Sequence, residues 1–480
     1  MRRFKKLLLG LGVLLLVLAL AAGIAEWSFH RSGSRKLAET TAGLDAAEPG
    51  WRIPDLEAAR RAAQPPAESN SAVVVLELHD RIPKTWSALR ASEDALTGYP
   101  TNHTPAFWQL VWLHLGRDET AALRSTARDR LLKPELLAKP GGYYPIEIAE
   151  VPFATLLPHA QKVRELASVL EYDANLAALE GQPDRGLRAA RAELLIARSI
   201  GDEPFLISQL IRMACARMAM QSALQVLAWR KPKEGLAELQ QELLAEAEFN
   251  GLLAGLRGER GIVDATFEGL RSGKFPLNKL GGDTDAGGGP GGAISFQLYR
   301  GLLPGDQAKS LELLTAAVRA AQLPPHERLA ALNAIPIPPG PPDEFRYLMT
   351  RLLVPAWLKV ADAGIRNRAD LLSASVAIAC ERYRLANKRW PDSLEAIPKS
   401  ILPEIPTDPY TGHRIQYRKL DDGIAVFTVG EKSPARLQQR RQGGDPLIDI
   451  GQGWKLWNPE LRGLPPIHAP IIVPELDEAK

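Results

Sequence analysis

Apolar residues follow three different patterns along this chain. Residues 7–24 read LLLGLGVLLLVLALAAGI, with no charge in eighteen positions, and Ala25 extends the run. About 20 such residues predict a helix that spans a bilayer. From about residue 153 the pattern turns periodic. Val163, Leu166, Ala167 and Leu170 fall at i, i+3, i+4 and i+7, the spacing of one helix face. Gly181-Gln182-Pro183-Asp184 breaks it, and Leu187, Ala190, Leu194 and Ala197 form the next stripe. Gly201-Asp202-Glu203-Pro204 breaks it again. Residues 205–229 and 234–253 then read as a third and a fourth helix. Long helices joined by short turns pack antiparallel. The third pattern is alternation on either side of Asp421-Asp422-Gly423. It predicts a hairpin with strands at 414–420 and 424–429.

These patterns give a mainly α fold: an antiparallel helical-hairpin array, a small α+β C-terminal module and an N-terminal transmembrane helix. Residues 1–25 are the anchor. Residues 26–70, polar and rich in Pro, Gly and Ala, read as a stalk with a short helix at 55–63. Residues 71–365 form the helical body, 366–455 the α+β module and 456–480 a tail. Residues 72–78, AVVVLEL, fit either a strand or a helix start. Residues 86–112 are rich in aromatics and predict a local cluster. Residues 281–292, GGDTDAGGGPGG, form a flexible insert without the Lys and Ser/Thr of a phosphate loop. Residues 335–342, IPIPPGPP, are a stiff connector, with helices expected at 306–321, 344–365 and 371–385. In the hairpin, Ala425, Phe427 and Val429 share one strand face. Because Phe427 is the largest, this face is expected to meet Leu372, Val376, Ala379 and Tyr383 of the preceding helix.

Charge adds orientation. The net charge is +3, and subtracting Arg2, Arg3, Lys5 and Lys6 leaves −1. A body this neutral has no bulk attraction for nucleic acid. The four basic residues precede the apolar run and favour a cytoplasmic N-terminus, although Arg31, Arg35 and Lys36 follow it. A cleaved signal peptide is the rival reading, with small-x-small triplets at residues 19–21 and 23–25, but the long Leu-rich run favours retention. No Cys follows the run, which argues against a lipoprotein. Both readings place the body outside the cytoplasm, on the periplasmic side. Cys215 and Cys380 sit in apolar helical patterns and read as buried free thiols, or as a disulfide in an oxidising compartment.

The search for chemistry returns little. The eight histidines form no HExxH motif or metal-spaced pair, and there is no GxSxG elbow. His79-Asp80 reads as a surface or capping pair. Gly258-Glu259-Arg260 reads as part of a charged helix face. Asn102-His103-Thr104 matches a glycosylation sequon. No catalytic residue and no cofactor are assigned.

Two resemblances follow from local motifs. Residues 176–181, LAALEG, with Gly186 and Ala190, resemble one unit of a tetratricopeptide-type helical hairpin. In the C-terminal module a helix leads into Arg389-Trp390-Pro391-Asp392-Ser393-Leu394. Pro406-Thr407-Asp408-Pro409-Tyr410-Thr411-Gly412 follows, and then the hairpin ending in Val429-Gly430. This order, over residues 370–450, resembles the C-terminal part of type II secretion major pseudopilins and recurs in bacterial envelope proteins with one N-terminal span. The N-terminus lacks the Gly cleavage site and following Glu of a processed pilin, so the chain is not itself expected to be one. In that family an acidic, Gly-rich loop after the hairpin binds calcium. Here the resemblance implies Asp445 and Asp449 as candidate ligands, with Arg436, Arg440 and Arg441 opposing a cation. Trp454 and Trp457 are expected to pack on this module.

The expected function is that of a membrane-anchored extracytoplasmic protein, an interaction or structural component of the cell envelope with a protein partner and no nucleic acid. The alternative is a membrane-anchored hydrolase whose triad is dispersed in sequence.

Overall fold

The computed structural model describes residues 2–86, 119–138, 141–276, 279, 299–338, 346–353, 355–429 and 452–462. Among the described residues five helices come first: α1 (Arg2–Ala47), α2 (Ile53–Ala62), α3 (Ser71–His79), α4 (Ala121–Leu131) and α5 (Pro134–Ala138). The segment expected as a stalk is therefore helical and packed. α1 runs unbroken past the apolar run, and its Leu37 and Leu44 join Trp51, Ala308 and Leu311 in a small core. No proline lies within residues 26–47, and the isolated Gly33 and Gly43 are tolerated inside the helix. Residues 72–78 resolve as helix α3, because Asn70 caps it by accepting a hydrogen bond from the Ala72 amide (3.1 Å).

The array follows the periodic pattern. It comprises α6 (Pro158–Leu179), α7 (Pro183–Arg198), α8 (Leu206–Trp229) and α9 (Leu236–Glu248). Proline opens α6 and α7 at positions where its missing N–H costs nothing. Gly181 (φ +76°) and Gly201 (φ +63°) end them in the left-handed region that glycine adopts freely. α7 packs between α6 and α8. The fourth expected helix, 234–253, is instead broken. Phe249 is extended after α9, and the Asn250 side chain accepts from Leu253 N–H (3.2 Å) to start α10 (Gly251–Ser272).

The remaining α-helices among the described residues are α11 (Leu303–Gln322), α12 (Pro325–Asn333), α13 (Leu348–Leu353) and α14 (Pro355–Asn387). The helix expected at 371–385 is the second half of α14, so the boundary expected at 365/366 falls inside it. Its C-terminal half, including Leu372, Val376, Ala379 and Cys380, enters the core of the array. Its N-terminal half, with Trp357, Val360 and Ala361, enters a second core with α10 and α11.

The C-terminal sheet is antiparallel in the order β1 (Gln416–Leu420), β2 (Gly423–Thr428), β3 (Gln452–Trp457). The expected hairpin is present, but its faces are reversed. Ile424 and Val426 are fully buried and join Leu372, Val376 and Tyr383. Phe427 is half-buried on the other face, with the Arg418 guanidinium 5.8 Å from its ring centroid. The reason is β3, which the alternation pattern did not predict. β3 pairs Trp454 with Val426 and Leu456 with Ile424, and these side chains supply the bulk that Phe427 was expected to provide.

The motifs at residues 389–394 and 406–412 have structural roles in this module. The Asp408 carboxylate accepts from the amides of Tyr410 (2.8 Å) and Val429 (2.7 Å), which ties the turn to the end of β2. Trp390 Nε1 donates to Asn458 Oδ1 (2.7 Å), and Tyr417 donates to the Pro391 carbonyl (2.7 Å). Burial opposes ionisation of Glu381 on α14, but hydrogen bonds from Arg384 and Arg462 outweigh it and hold the carboxyl below its ordinary range. This pair fastens the segment after β3 to α14.

Candidate functional site

Among the described residues, functional groups gather at the junction of α1 with the body, at buried charge centres and in cavities. At the junction α1 crosses α11 at close range. A Cβ on Gly33 would stand 2.6 Å from the Gly305 amide nitrogen. Lys36 pairs with Glu312 at 2.8 Å. Farther toward the N-terminus, Val13, Leu14, Leu16, Val17, Leu20 and Ile24 are exposed, as are Trp27 and Phe29. Among the described residues no helix is long and apolar enough to cross a membrane. Of the run at residues 7–25, all of which lies on α1, many side chains fall outside the described residues.

The first buried centre is Asp173 on α6. Its carboxylate pairs with Arg124 (3.0 Å), Arg185 (2.8 Å) and Arg128. Three guanidinium groups around one buried carboxylate join α4, α6 and α7. The second centre joins α2, the segment 143–146 and the α7–α8 turn. Glu57 accepts from Arg60 and Tyr143, and His159 Nε2 lies 2.8 Å from Glu203 Oε1.

This second centre is where the structure comes nearest to a hydrolytic constellation, with His159, Glu203 and Ser199. The geometry does not form a relay. Ser199 Oγ donates to the Ile196 carbonyl (2.6 Å) and not to His159, and it accepts from the Tyr144 hydroxyl. Tyr144 stacks on the His159 ring at 4.4 Å between centroids, and burial pushes its phenol pKa up. A nucleophile must be reached by its base, and here the base is turned to a carboxylate. The thiols are no better placed. Cys215 and Cys380 are free and fully buried. Burial pushes the Cys215 thiol up to about 12 and raises Cys380 as well, so neither supplies the reactive thiolate.

The larger cavity is an open cleft of about 740 Å³ beside α1, lined by His30, Glu150, Glu268, Arg271, Lys274 and Arg300 among others. Its charges are mixed, and Arg271 already donates to Gln307 (3.0 Å). The smaller is a pocket of about 290 Å³ between α8, α10, α11, α13 and α14. Leu206, Leu210, Val263, Leu314 and Val360 give it an apolar wall. Three polar side chains, Glu259, Ser310 and Trp357, interrupt that wall, and Ser310 Oγ is already paired with Thr350 Oγ1 (2.7 Å). Burial pushes the Glu259 carboxyl up to about 7, against one stabilising hydrogen bond from the Leu206 amide. Trp357 is 2% exposed, and its indole N–H has no acceptor among the described residues.

The expectation for Gly258-Glu259-Arg260 is thus corrected: this is not a solvated charged face. A Cβ on Gly258 would overlap the Pro204 carbonyl at 1.7 Å, so glycine lets α10 press against the α7–α8 turn. That contact carries Glu259 into the pocket wall and buries Arg260 completely, where it pairs with Glu48 (2.7 Å). His79 is held at the surface by Glu165 (2.8 Å) and Asp80 (3.4 Å). Trp86 is buried, edge-on to Tyr172. The candidate calcium ligands Asp445 and Asp449 lie outside the described residues, as do the Asn102-His103-Thr104 sequon and the insert at 281–292. Among the described residues no group of three or more His, Cys, Asp or Glu is placed to hold a metal. Asp173 and Trp357 carried no sequence signal, because the residues gathered around each come from distant parts of the chain. Comparison with known protein families, curated proteins and solved structures finds no match to this chain.

Proposed function

We propose that this protein is a single-pass membrane protein whose helical body works on the extracytoplasmic side by binding a protein partner in the cell envelope. The observation that carries the reading is the continuity of α1. One helix bears an uncharged run with exposed apolar side chains and then docks on α11 through Gly33 and Lys36. Exposed apolar surface of this extent in water is unfavourable and marks a lipid or protein contact. The basic residues before the run support an N-terminus in the cytoplasm. The stacked hairpins α6 to α9 support a binding role, since such arrays present broad surfaces. The helix-then-hairpin module resembling pseudopilins supports an envelope setting.

Alkaline carbonate washing tests the anchor. The full-length chain is expected to stay with the membrane pellet, and release into the supernatant overturns it. Protease added to intact spheroplasts tests the side: digestion of the body supports the reading, and protection reverses the topology. Chemical crosslinking in intact cells before detergent extraction tests the binding role. A discrete adduct that persists at high salt is expected, and the absence of any adduct removes the partner from the reading.

A further inference from the structure

The apolar pocket walled by α8, α10, α11 and α14 is partly enclosed, yet its rim is open. Leu352 is 69% exposed, Ile207 53% and Phe153 39%. We propose that this pocket takes one acyl chain of a membrane lipid. The proposal rests on the anchoring reading and deepens it.

Shape comes first. A volume of about 290 Å³ holds roughly ten water-sized or methylene-sized groups. One turn of a partner helix, about 10 Å across and 5.4 Å tall, is already too large for it. A single flexible hydrocarbon chain fits, and its burial against Leu210, Val263, Leu314 and Val360 is favourable at every methylene. Polarity comes second. Trp357 carries a buried N–H with no acceptor among the described residues, and an unpaired buried donor is destabilising. The ester carbonyl at the head of a lipid chain is an acceptor of the kind it lacks. Glu259 lines the same wall, so a neutral chain is favoured over an anionic fatty acid.

The route comes third. Phe29 lies five residues beyond the end of the uncharged run, roughly 8 Å along α1. The Arg346 guanidinium stands 5.5 Å from the Phe29 ring centroid. From Arg346 the chain passes directly into α13, where Leu348 and Leu352 are both exposed and four residues apart, on one helix face. Leu352 is itself part of the pocket wall. Phe29, the Arg346 guanidinium stacked on it, Leu348 and Leu352 therefore mark a path from the emerging anchor to the mouth of the pocket.

The test uses the full-length protein in nanodiscs containing a phospholipid with a photoactivatable diazirine on one acyl chain. Irradiation and mass spectrometry locate the adducts. The expected result is labelling on residues 206–210 and 352–360 in addition to the run at 7–24. Labelling on 7–24 alone overturns the pocket and keeps the anchor. Labelling on the pocket alone keeps the pocket and overturns the anchor as its lipid contact. Labelling on neither overturns both. Ile207→Glu with Leu352→Glu changes only exposed rim residues, so the fold is retained. It is expected to reduce pocket labelling at least fivefold while labelling on 7–24 is unchanged. Trp357→Phe keeps the apolar bulk and removes the donor, and is expected to lower pocket labelling by about two- to tenfold. Pocket labelling unaffected by both variants overturns the proposal.

Discussion

Gly33 of α1 and Gly305 of α11 meet backbone to backbone, so close that a Cβ on Gly33 would lie 2.6 Å from the Gly305 nitrogen and 3.0 Å from its Cα. Two rigid backbones cannot give way as a flexible side chain can. Leu37, Leu44, Ala308 and Leu311 close the same interface, and Lys36–Glu312 borders it. The lower part of α1 is therefore a structural member of the body and not a loose tether. Movement of the body would be transmitted to the N-terminal part of α1, and the reverse.

Gly33→Val is expected to separate α1 from α11. Overpacking a tight contact costs about 1–3 kcal/mol. Hydrogen exchange should show faster amide exchange over residues 33–47 with the array 158–248 unchanged. Equal protection in the variant would mean that the two helices part without penalty.

The reversed faces of the C-terminal hairpin give a paired test. Val426 is fully buried against α14 and β3, whereas Phe427 is half-buried on the opposite face. Val426→Asp places an unpaired carboxylate in that core and is expected to unfold the module, since burying such a charge costs several kcal/mol. Phe427→Asp is expected to cost no more than about 1 kcal/mol. Limited proteolysis of the two variants between residues 388 and 416 reads the difference. Equal sensitivity would contradict the assignment of faces.

What the sequence made legible was local. The stripe Val163, Leu166, Ala167 and Leu170 lies on one helix, and all four are buried. The same holds for Leu372, Val376, Ala379 and Tyr383, because helical period and burial are tied within a few turns. The hairpin turn was legible from Asp421-Asp422-Gly423. The strand face was not, because it depends on β3, which arrives from residues 452–457 across a long gap in the chain. Glu259 was misread for a related reason. Charge next to charge on a helix normally signals a solvated face. Here Gly258 permits a contact with Pro204 that half-buries Glu259 and fully buries Arg260, and only the tertiary fold reveals it. The Asp173 centre draws Arg124 and Arg128 from the earlier helix α4 and Arg185 from the following α7, a convergence without periodic trace.

Asp173→Ala tests that centre. Removing the carboxylate leaves three guanidinium groups facing one another with their common partner gone. Breaking a buried ion pair from one side costs about 3–5 kcal/mol. Urea unfolding should show a loss of that order. A second substitution, Arg128→Leu, is expected to recover part of it by removing one uncompensated charge. If the double variant is as unstable as the sum of the single ones, the residues do not act as one centre.

Glu259 makes stability depend on pH in the opposite sense to an ordinary surface carboxylate. Burial raises its pKa from the ordinary 4.5 to about 7 in the folded protein. Below pH 4.5 the group is protonated whether the chain is folded or not, and its contribution is fully present. Between 4.5 and 7 the unfolded chain ionises first, so stability falls as pH rises through that window, and above 7 the contribution is gone. Allowing for partial exposure, the swing is on the order of 2–3 kcal/mol. Asp264 and Asp370, each pushed up to about 6 by burial, act with the same sign at lower pH, so the clean quantity is a difference between parent and variant. Glu259→Gln cannot ionise and keeps the shape of the protonated acid. It should match the parent near pH 4.5 and exceed it by about 2 kcal/mol at pH 8 in urea melts of the full-length protein in nanodiscs. A gap that is the same at both pH values would place Glu259 in water, outside the apolar wall.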